Sequence, residues 1–408
     1  MNPGAVNPRI DRALNPRRIA LILAGLAMLG PFSVDTYFPS FPAMAAHFGV
    51  SEIQVQSTLS VYLAALAGMN LFHGALSDSW GRRRVILAAL GVYTASALMC
   101  PVAPGFRALL ALRAIQGLAA GAGMIVSRAL IRDCFEGAEA QKFMAEVMMV
   151  SGLGPAIAPV IGGWLHAGFG WRGPFVFLAL LGVVLWSACQ WGLPESLPRH
   201  LRKPFEPGPL FRAYVRAMGD GPFVLLCLAL ALGSGGFLLY VATAPDMAIH
   251  VLGLSSTQFG WLFLPIVAGL VLGSAVASRW AGRLSPAGFV RYGFVLMALG
   301  AALNLGVWLW GAPRVPWAVL PLTVYTFGFS LAAPVISLEG LDRFPQQRGL
   351  ASSLQGFAHT LVFALMAGWV APVVYHSGLK HAVGLALFMS LSWGSYQLVR
   401  RAKRSRGL

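Results

Sequence analysis

Two charged residues stand inside otherwise apolar stretches of this chain: Asp35 in GPFSVDTYFPSFP (30–42) and Arg113 in LLALRAIQGLAAGAG (109–123). A carboxylate removed from water tends to keep its proton, while a guanidinium close by favours the ionised form. The contest between these effects makes a group that can load and unload a proton. A guanidinium in an apolar helix is itself expensive, so Arg113 must face a partner or a wet cavity. Asp35 lies six residues, about 9 Å of helix, before Phe41, and Pro31 is expected to disturb the helix ahead of it. Glu146 is the reserve acid, and at the place in the second half corresponding to Asp35 stands Leu238.

The elements that must position these groups follow from composition. Hydrophobic residues make up 57% of the 408, charged ones only 11%, and the mean hydropathy is +0.70. A soluble or disordered chain cannot carry that balance, and the bilayer is the solvent that fits. Twelve apolar runs long enough to span it are expected at 19–38, 55–76, 85–103, 106–130, 143–167, 174–193, 222–244, 258–278, 288–310, 316–338, 350–374 and 382–399. Their length argues for helices over a barrel, whose strands would alternate over about ten residues. The four cysteines (Cys100, Cys134, Cys189, Cys227) have no paired spacing and read as packing residues.

The net charge of +16 would point to nucleic acid in a soluble domain. Here it marks sidedness instead, and no nucleic-acid partner is expected. Of the 30 Lys and Arg residues, 25 fall in, or within a turn of, one set of alternate connections plus the two termini, and only Arg107, Arg172, Arg314 and Lys380 fall in or beside the other. This bias predicts both termini in the cytoplasm. Spans 1 and 4 then run in opposite directions and bring Asp35 and Arg113 to similar depth. The division expected is an N-terminal arm (1–18), a six-helix bundle (19–193), a polar linker (194–221), a second six-helix bundle (222–399) and a basic tail (400–408). PAMAAHFGVSEIQ (42–54) matches PDMAIHVLGLSSTQ (245–258), which marks the halves as repeats.

Three motifs carry a resemblance. GALSDSWGRRRVIL (74–87) sets Gly74, Asp78, Gly81, Arg82 and Arg83 in the order and spacing of the signature loop of the major facilitator superfamily. The resemblance implies a latch that holds the two halves together on the cytoplasmic side; the basic residue the family usually has after the Asp is Ser79 here. The Arg-x-x-Gln-Gly context of Arg113 is similar to the family's second motif, in which the Arg takes part in proton coupling. SGLGPAIAPVIGGWL (151–165) resembles the antiporter motif through Gly154, Pro155, Pro159, Gly162 and Gly163, with Ala158 where many members have Gly. That motif is associated with exporters. With PFSVDTYFPSFP, RALIRDCF and FGWRGPF, the chain looks like the drug and proton antiporters of the bicyclomycin and chloramphenicol resistance branch (Bcr/CflA). Some relatives carry a second acid two turns before the first, where this chain has Ala27. Within RALIRDCF, Arg132 and Asp133 read equally as a surface ion pair or as part of a gate.

A site for hydrophobic compounds is expected to be mainly apolar and aromatic with few polar anchors. Candidates in the first half are Tyr37, Phe38, Gln56, Tyr62 and Asn70. In the second half they are Phe237, Tyr240, Trp261, Gln355 and His359. No phosphate-binding loop, His-Glu-x-x-His helix or Gly-x-Ser-x-Gly elbow occurs in the sequence, so neither a nucleotide-driven pump nor these hydrolases is expected. No catalytic residue, metal or cofactor is expected. The partners implied are a small-molecule substrate, protons and the lipid bilayer, with the chain acting as a monomer in a bacterial inner membrane. The alternatives are an exporter of a native metabolite such as a small amino acid and, from another class, a membrane transferase using a buried His or Asp.

Overall fold

The computed structural model describes residues 16–135, 137–311 and 314–405; most of the N-terminal arm and the end of the tail lie outside the described residues. The first half contains α1 (Pro16–Asp35), α2 (Phe41–Phe48), α3 (Glu52–Asn70), α4 (His73–Trp80), α5 (Arg82–Met99), α6 (Phe106–Cys134), α7 (Gly137–Phe169) and α8 (Gly173–Gly192). A short helix, α9 (Pro207–Met218), lies in the linker. The second half contains α10 (Gly221–Ala242), α11 (Ala244–Asp246), α12 (Gly260–Trp280), α13 (Pro286–Leu309), α14 (Leu320–Leu341), α15 (Arg348–Leu365), α16 (Ala371–Val374) and α17 (Gly378–Ser405). The described residues form two six-helix bundles.

Ten stretches among the described residues are long and apolar enough to cross a membrane, and α3 with α4, bent by 50° at their junction, make an eleventh. One of the ten, Val150–Gly192, is 43 residues long and reverses at Gly170, whose φ is +67°. It therefore holds the second part of α7 and all of α8, which is consistent with twelve spans. The outer faces are apolar, with Leu98, Leu180, Val184 and Leu264 among the exposed side chains, while Arg113, Gln116, Asn304 and His381 are buried. This arrangement suits a lipid solvent.

Pro31 does not break α1. Proline removes the N–H that would bond the carbonyl of Ala27, but Ser151 Oγ of α7 donates to that carbonyl at 3.4 Å. The vacated acceptor is thus satisfied within the protein, as a membrane helix requires. The helix stops four residues later, at Asp35, because Pro39 cannot donate to the Asp35 carbonyl and its ring would collide with it. Asp35 is consequently the last residue of α1 and not a mid-helix residue.

The bundles meet at the end that carries Ser51 and Ser255. Gln56 Nε2 donates to the Ala242 carbonyl at 2.7 Å, and Phe38 stacks on Phe263 with ring centres 6.4 Å apart. Gly260 lies against Val160, joining α12 to α7. Toward the end where α1 begins and α17 finishes, Asn70 Nδ2 donates to Thr360 Oγ1 at 3.4 Å, and Tyr214 of α9 donates to the Leu71 carbonyl at 2.7 Å.

Candidate functional site

Asp35 is 3% exposed, and its Oδ1 has no hydrogen-bond partner among the described residues. Arg113 of α6 is fully buried. Its Nη1 donates to Gln116 Oε1 and its Nη2 to the Ser33 carbonyl at 3.0 Å. The guanidinium carbon lies 4.5 Å from the ring centre of Tyr37 and 4.4 Å from that of Tyr62. No ion pair joins Arg113 to Asp35 among the described residues. The two are linked through the Ser33 carbonyl, two residues before the acid. Carbonyl dipole and aromatic faces offset the desolvation of the cation; each such face contributes about 2 kcal/mol when dry. Ser33 Oγ continues the polar seam to Tyr93 OH at 2.6 Å, and Tyr37 OH reaches Thr58 Oγ1 at 3.1 Å.

The small residues of α7 bring it onto this centre. Gly154, Ala158 and Gly162 recur every four residues and so share one helix face. A Cβ on Gly154 would meet the Pro31 ring at 2.6 Å, and one on Gly162 would collide with the Thr36 carbonyl. Pro155 and Pro159 lie within α7, and Gly163 is buried beside Gly162. Glu146 is half-buried nine residues from the start of the same helix, about 13 Å along it.

A second charged group lies at the end where α1 begins. Arg82 Nη1 donates to Asp78 Oδ1 and to Ser77 Oγ at 2.6 Å, and Arg82 Nε donates to Asp133 Oδ2 at 3.0 Å. Its backbone N–H donates to Glu195 Oε1 at 2.8 Å, and Ser196 Oγ bonds Asp133 at 2.9 Å. Asp133 therefore pairs with Arg82, not with its neighbour Arg132 as a surface pair would. Gly81 has φ +103°, and a Cβ there would strike Glu195 and Arg202. Gly74, by contrast, has open space where a Cβ would be. Glu195 and Ser196 were missed in the sequence because they come from the linker, with no fixed spacing to the loop. All described hydrogen bonds and ion pairs of Asp78 and Arg82 stay on the first-half side, including the linker.

The candidates for a substrate surface divide. Tyr37 and Tyr62 are fully buried against Arg113, so they do not line an open cavity here. Tyr240 turns away from the bundle interface and donates to Asn304 of α13 at 2.6 Å. Phe237 packs edge-on against Phe329. Gln355 is tied to Ser337 at 2.8 Å, and Trp261 is 49% exposed near the start of α12. Phe38, Gln56 and Asn70 do reach the other bundle. His359 is half-buried one residue before Thr360, the partner of Asn70.

A group that the sequence did not reveal closes the Ser51 end. His250 Nε2 lies 3.1 Å from Glu52 Oε2 across the bundles. Asp246 holds His376 twice, at 2.7 Å through its backbone N–H and at 2.7 Å through Nδ1. This fixes His376 at φ +60°, a conformation rare for a non-glycine residue. The two histidine rings meet edge-on at 5.2 Å. Burial pushes the Asp246 carboxyl above the ordinary aspartate range, with His376 and His250 opposing that shift and Glu52 adding to it.

Two bundles of six membrane helices, with a buried charge centre in one of them and a charged loop after its second span, define a major facilitator protein. Residues 23–367 match the Major Facilitator Superfamily model, and the chain belongs to that family. It is similar to the bicyclomycin resistance protein homolog of Haemophilus influenzae, 29% identical over 95% of this chain and 97% of that one. Multidrug resistance protein D of Escherichia coli is 28% identical over 83% and 84%, and the chloramphenicol resistance protein CraA of Acinetobacter baumannii 28% over 85% and 84%. Among solved structures, a bacterial homolog of the human lysosomal transporter Spinster, in an inward-facing and unoccupied conformation, superposes with a TM-score of 0.73 at 16% identity, covering 95% and 97% of the two chains. The human organic anion transporter MFSD10 gives 0.68 at 21%, covering 94% and 99%.

Proposed function

We propose that the chain exports small, mainly hydrophobic compounds across the bacterial inner membrane in exchange for protons, by alternating access, with both termini in the cytoplasm. The observation that carries this reading is Asp35: a buried carboxyl with an unpartnered oxygen, at a break in α1, two residues from the carbonyl that Arg113 grips. The names of its relatives, which refer to bicyclomycin, chloramphenicol and multidrug resistance, support the substrate class. On the 25-to-4 charge bias, the Ser51 end, where His250 and Glu52 meet across the bundles, faces outward.

In the cycle, Asp35 takes a proton when its surroundings open to the acidic exterior and substrate leaves. Facing inward it loses the proton and substrate binds again. Arg113 stabilises the deprotonated form through Ser33 and the α1 break, without an ion pair. The antiporter-like face of α7 holds that break in place. The proton gradient supplies the free energy, so each state must bind the proton and the substrate differently. Everted vesicles carrying Asp35→Asn, offered dyes and phenicols, are expected to lose substrate-induced proton release and uphill efflux while keeping downhill exchange. Uphill export at normal coupling in that variant would overturn the assignment and move attention to Glu146.

A further inference from the structure

A hollow of about 360 Å³ opens beside the start of α5, and four arginines line it: Arg83, Arg84, Arg199 and Arg202. The one acid in its wall, Glu195, is already engaged. Its Oε1 accepts from the Arg82 backbone, and its Oε2 lies 3.6 Å from Arg202 Nη2. The side chains of Arg84 and Arg199 make no hydrogen bond or ion pair among the described residues, and Arg83 Nε is buried without a partner while its Nη2 binds the Gln190 carbonyl. Three positive charges are therefore left over in one concavity. Guanidinium groups so arranged repel one another unless an anion lies among them, and the planar fork suits the oxygens of a phosphate group.

The position of the hollow identifies the source of that phosphate. It lies where α5 begins, at Arg82, and where α8 ends, at Gly192. Trp80, two residues before Arg82, is 57% exposed, and Trp191, next in the chain to the Gln190 whose carbonyl binds Arg83, is 73% exposed. Exposed tryptophans at the ends of spans mark the headgroup level of a bilayer. Below Trp191, the outward face of α8 presents Val184 and Leu180, a surface that acyl chains can cover. We infer that the hollow binds the phosphate of an anionic phospholipid headgroup, holding the start of α5 to the linker segment 195–202. Basic pockets between membrane helices on the cytoplasmic side are suited to such lipids. Because Arg82 of the charged loop adjoins Arg83, an occupied hollow braces that loop from the linker side. This inference does not depend on proton coupling at Asp35.

The test uses the purified full chain in mixed micelles and native mass spectrometry, with phosphatidylglycerol and phosphatidylcholine as probes. The wild type is expected to retain one phosphatidylglycerol in preference to phosphatidylcholine. Arg84→Ala/Arg199→Ala, which removes two exposed side chains that bond nothing else, is expected to lower that retention by about ten- to thirty-fold. A lysine pair at the same positions should recover part of it. Arg279→Ala/Arg283→Ala, in the equivalent loop of the second half, should leave it unchanged. Equal retention of both lipids, an unaffected alanine pair, or an equal loss in the second-half control would overturn the site. Displacement of the lipid by millimolar inorganic phosphate would assign the hollow to a soluble anion instead, whereas resistance to it supports the lipid.

Discussion

Ser151 supplies the hydrogen bond that Pro31 takes away. Its hydroxyl donates to the Ala27 carbonyl, so α1 runs unbroken past the proline and ends at Asp35, where Pro39 stops it. The acid owes its place at a helix terminus to two prolines that act differently because only the first is answered from α7.

The same helix presses on the turn after the acid. Gly162→Ala is expected to destabilise the protein by about 1–3 kcal/mol, since its Cβ would displace the Thr36 carbonyl and the α1 break with it. Transport should fall further than the loss of folded protein accounts for. Thermal unfolding in detergent beside vesicle transport checks this, with Gly152→Ala as the control because a Cβ at Gly152 meets open space.

Arg82 links Asp78 and Asp133, so the three should behave as one unit. Asp78→Asn and Asp133→Asn are each expected to slow transport while leaving substrate affinity essentially unchanged. The double variant should be little worse than either one, with a coupling of about 1–2 kcal/mol in a double-mutant cycle. Independent, additive losses, or lost substrate binding in folded protein, would contradict this.

At the Ser51 end the sign of the pH effect follows from Asp246. Its carboxyl binds a proton more readily when buried in the closed end than when an opening returns it to water. Acidification therefore favours closure, fully so below the ordinary aspartate range. The preference fades as pH rises through the raised value. Spin labels at Ile53 and Thr257 should show the closed distance gaining population as pH falls. Asp246→Asn should flatten that dependence, and a closed population that grows with rising pH would reverse the assignment. The groups facing Asp246 in this test are His376, His250, Glu52 and Tyr375.

Sidedness has a direct check. Cysteines at Arg199 and Arg401 should resist an impermeant reagent applied to intact cells, while one at Ser51 should react. The opposite pattern would invert the topology and the direction of export.

Much of the architecture could be read from the chain because membrane spans and the motif loop are local patterns of hydropathy, charge and spacing. What such patterns do not encode is which face of a nearly all-apolar helix points where. Tyr240 therefore read as a cavity residue although it reaches Asn304 of its own bundle. The partners of Arg82 from the linker and of Asp246 from beyond α16 were hidden for another reason: they are 113 and 130 residues away in the chain. The acid and the arginine were visible as expensive residues in apolar runs, but not the aromatic cradle of Tyr37 and Tyr62 that holds the guanidinium.

That cradle also bears on how the protein is made. Ser33, Tyr37 and Tyr62 precede Arg113 in the chain, so the ribosome has delivered one carbonyl and two aromatic faces that receive the guanidinium before α6, which itself carries Gln116, enters the bilayer. The arginine can leave the insertion channel directly into its seat and need not wait in lipid. A circular permutant that begins at α6 would reverse this order, and its misassembly during synthesis would reveal the buried arginine as a constraint on the order of helices along the chain.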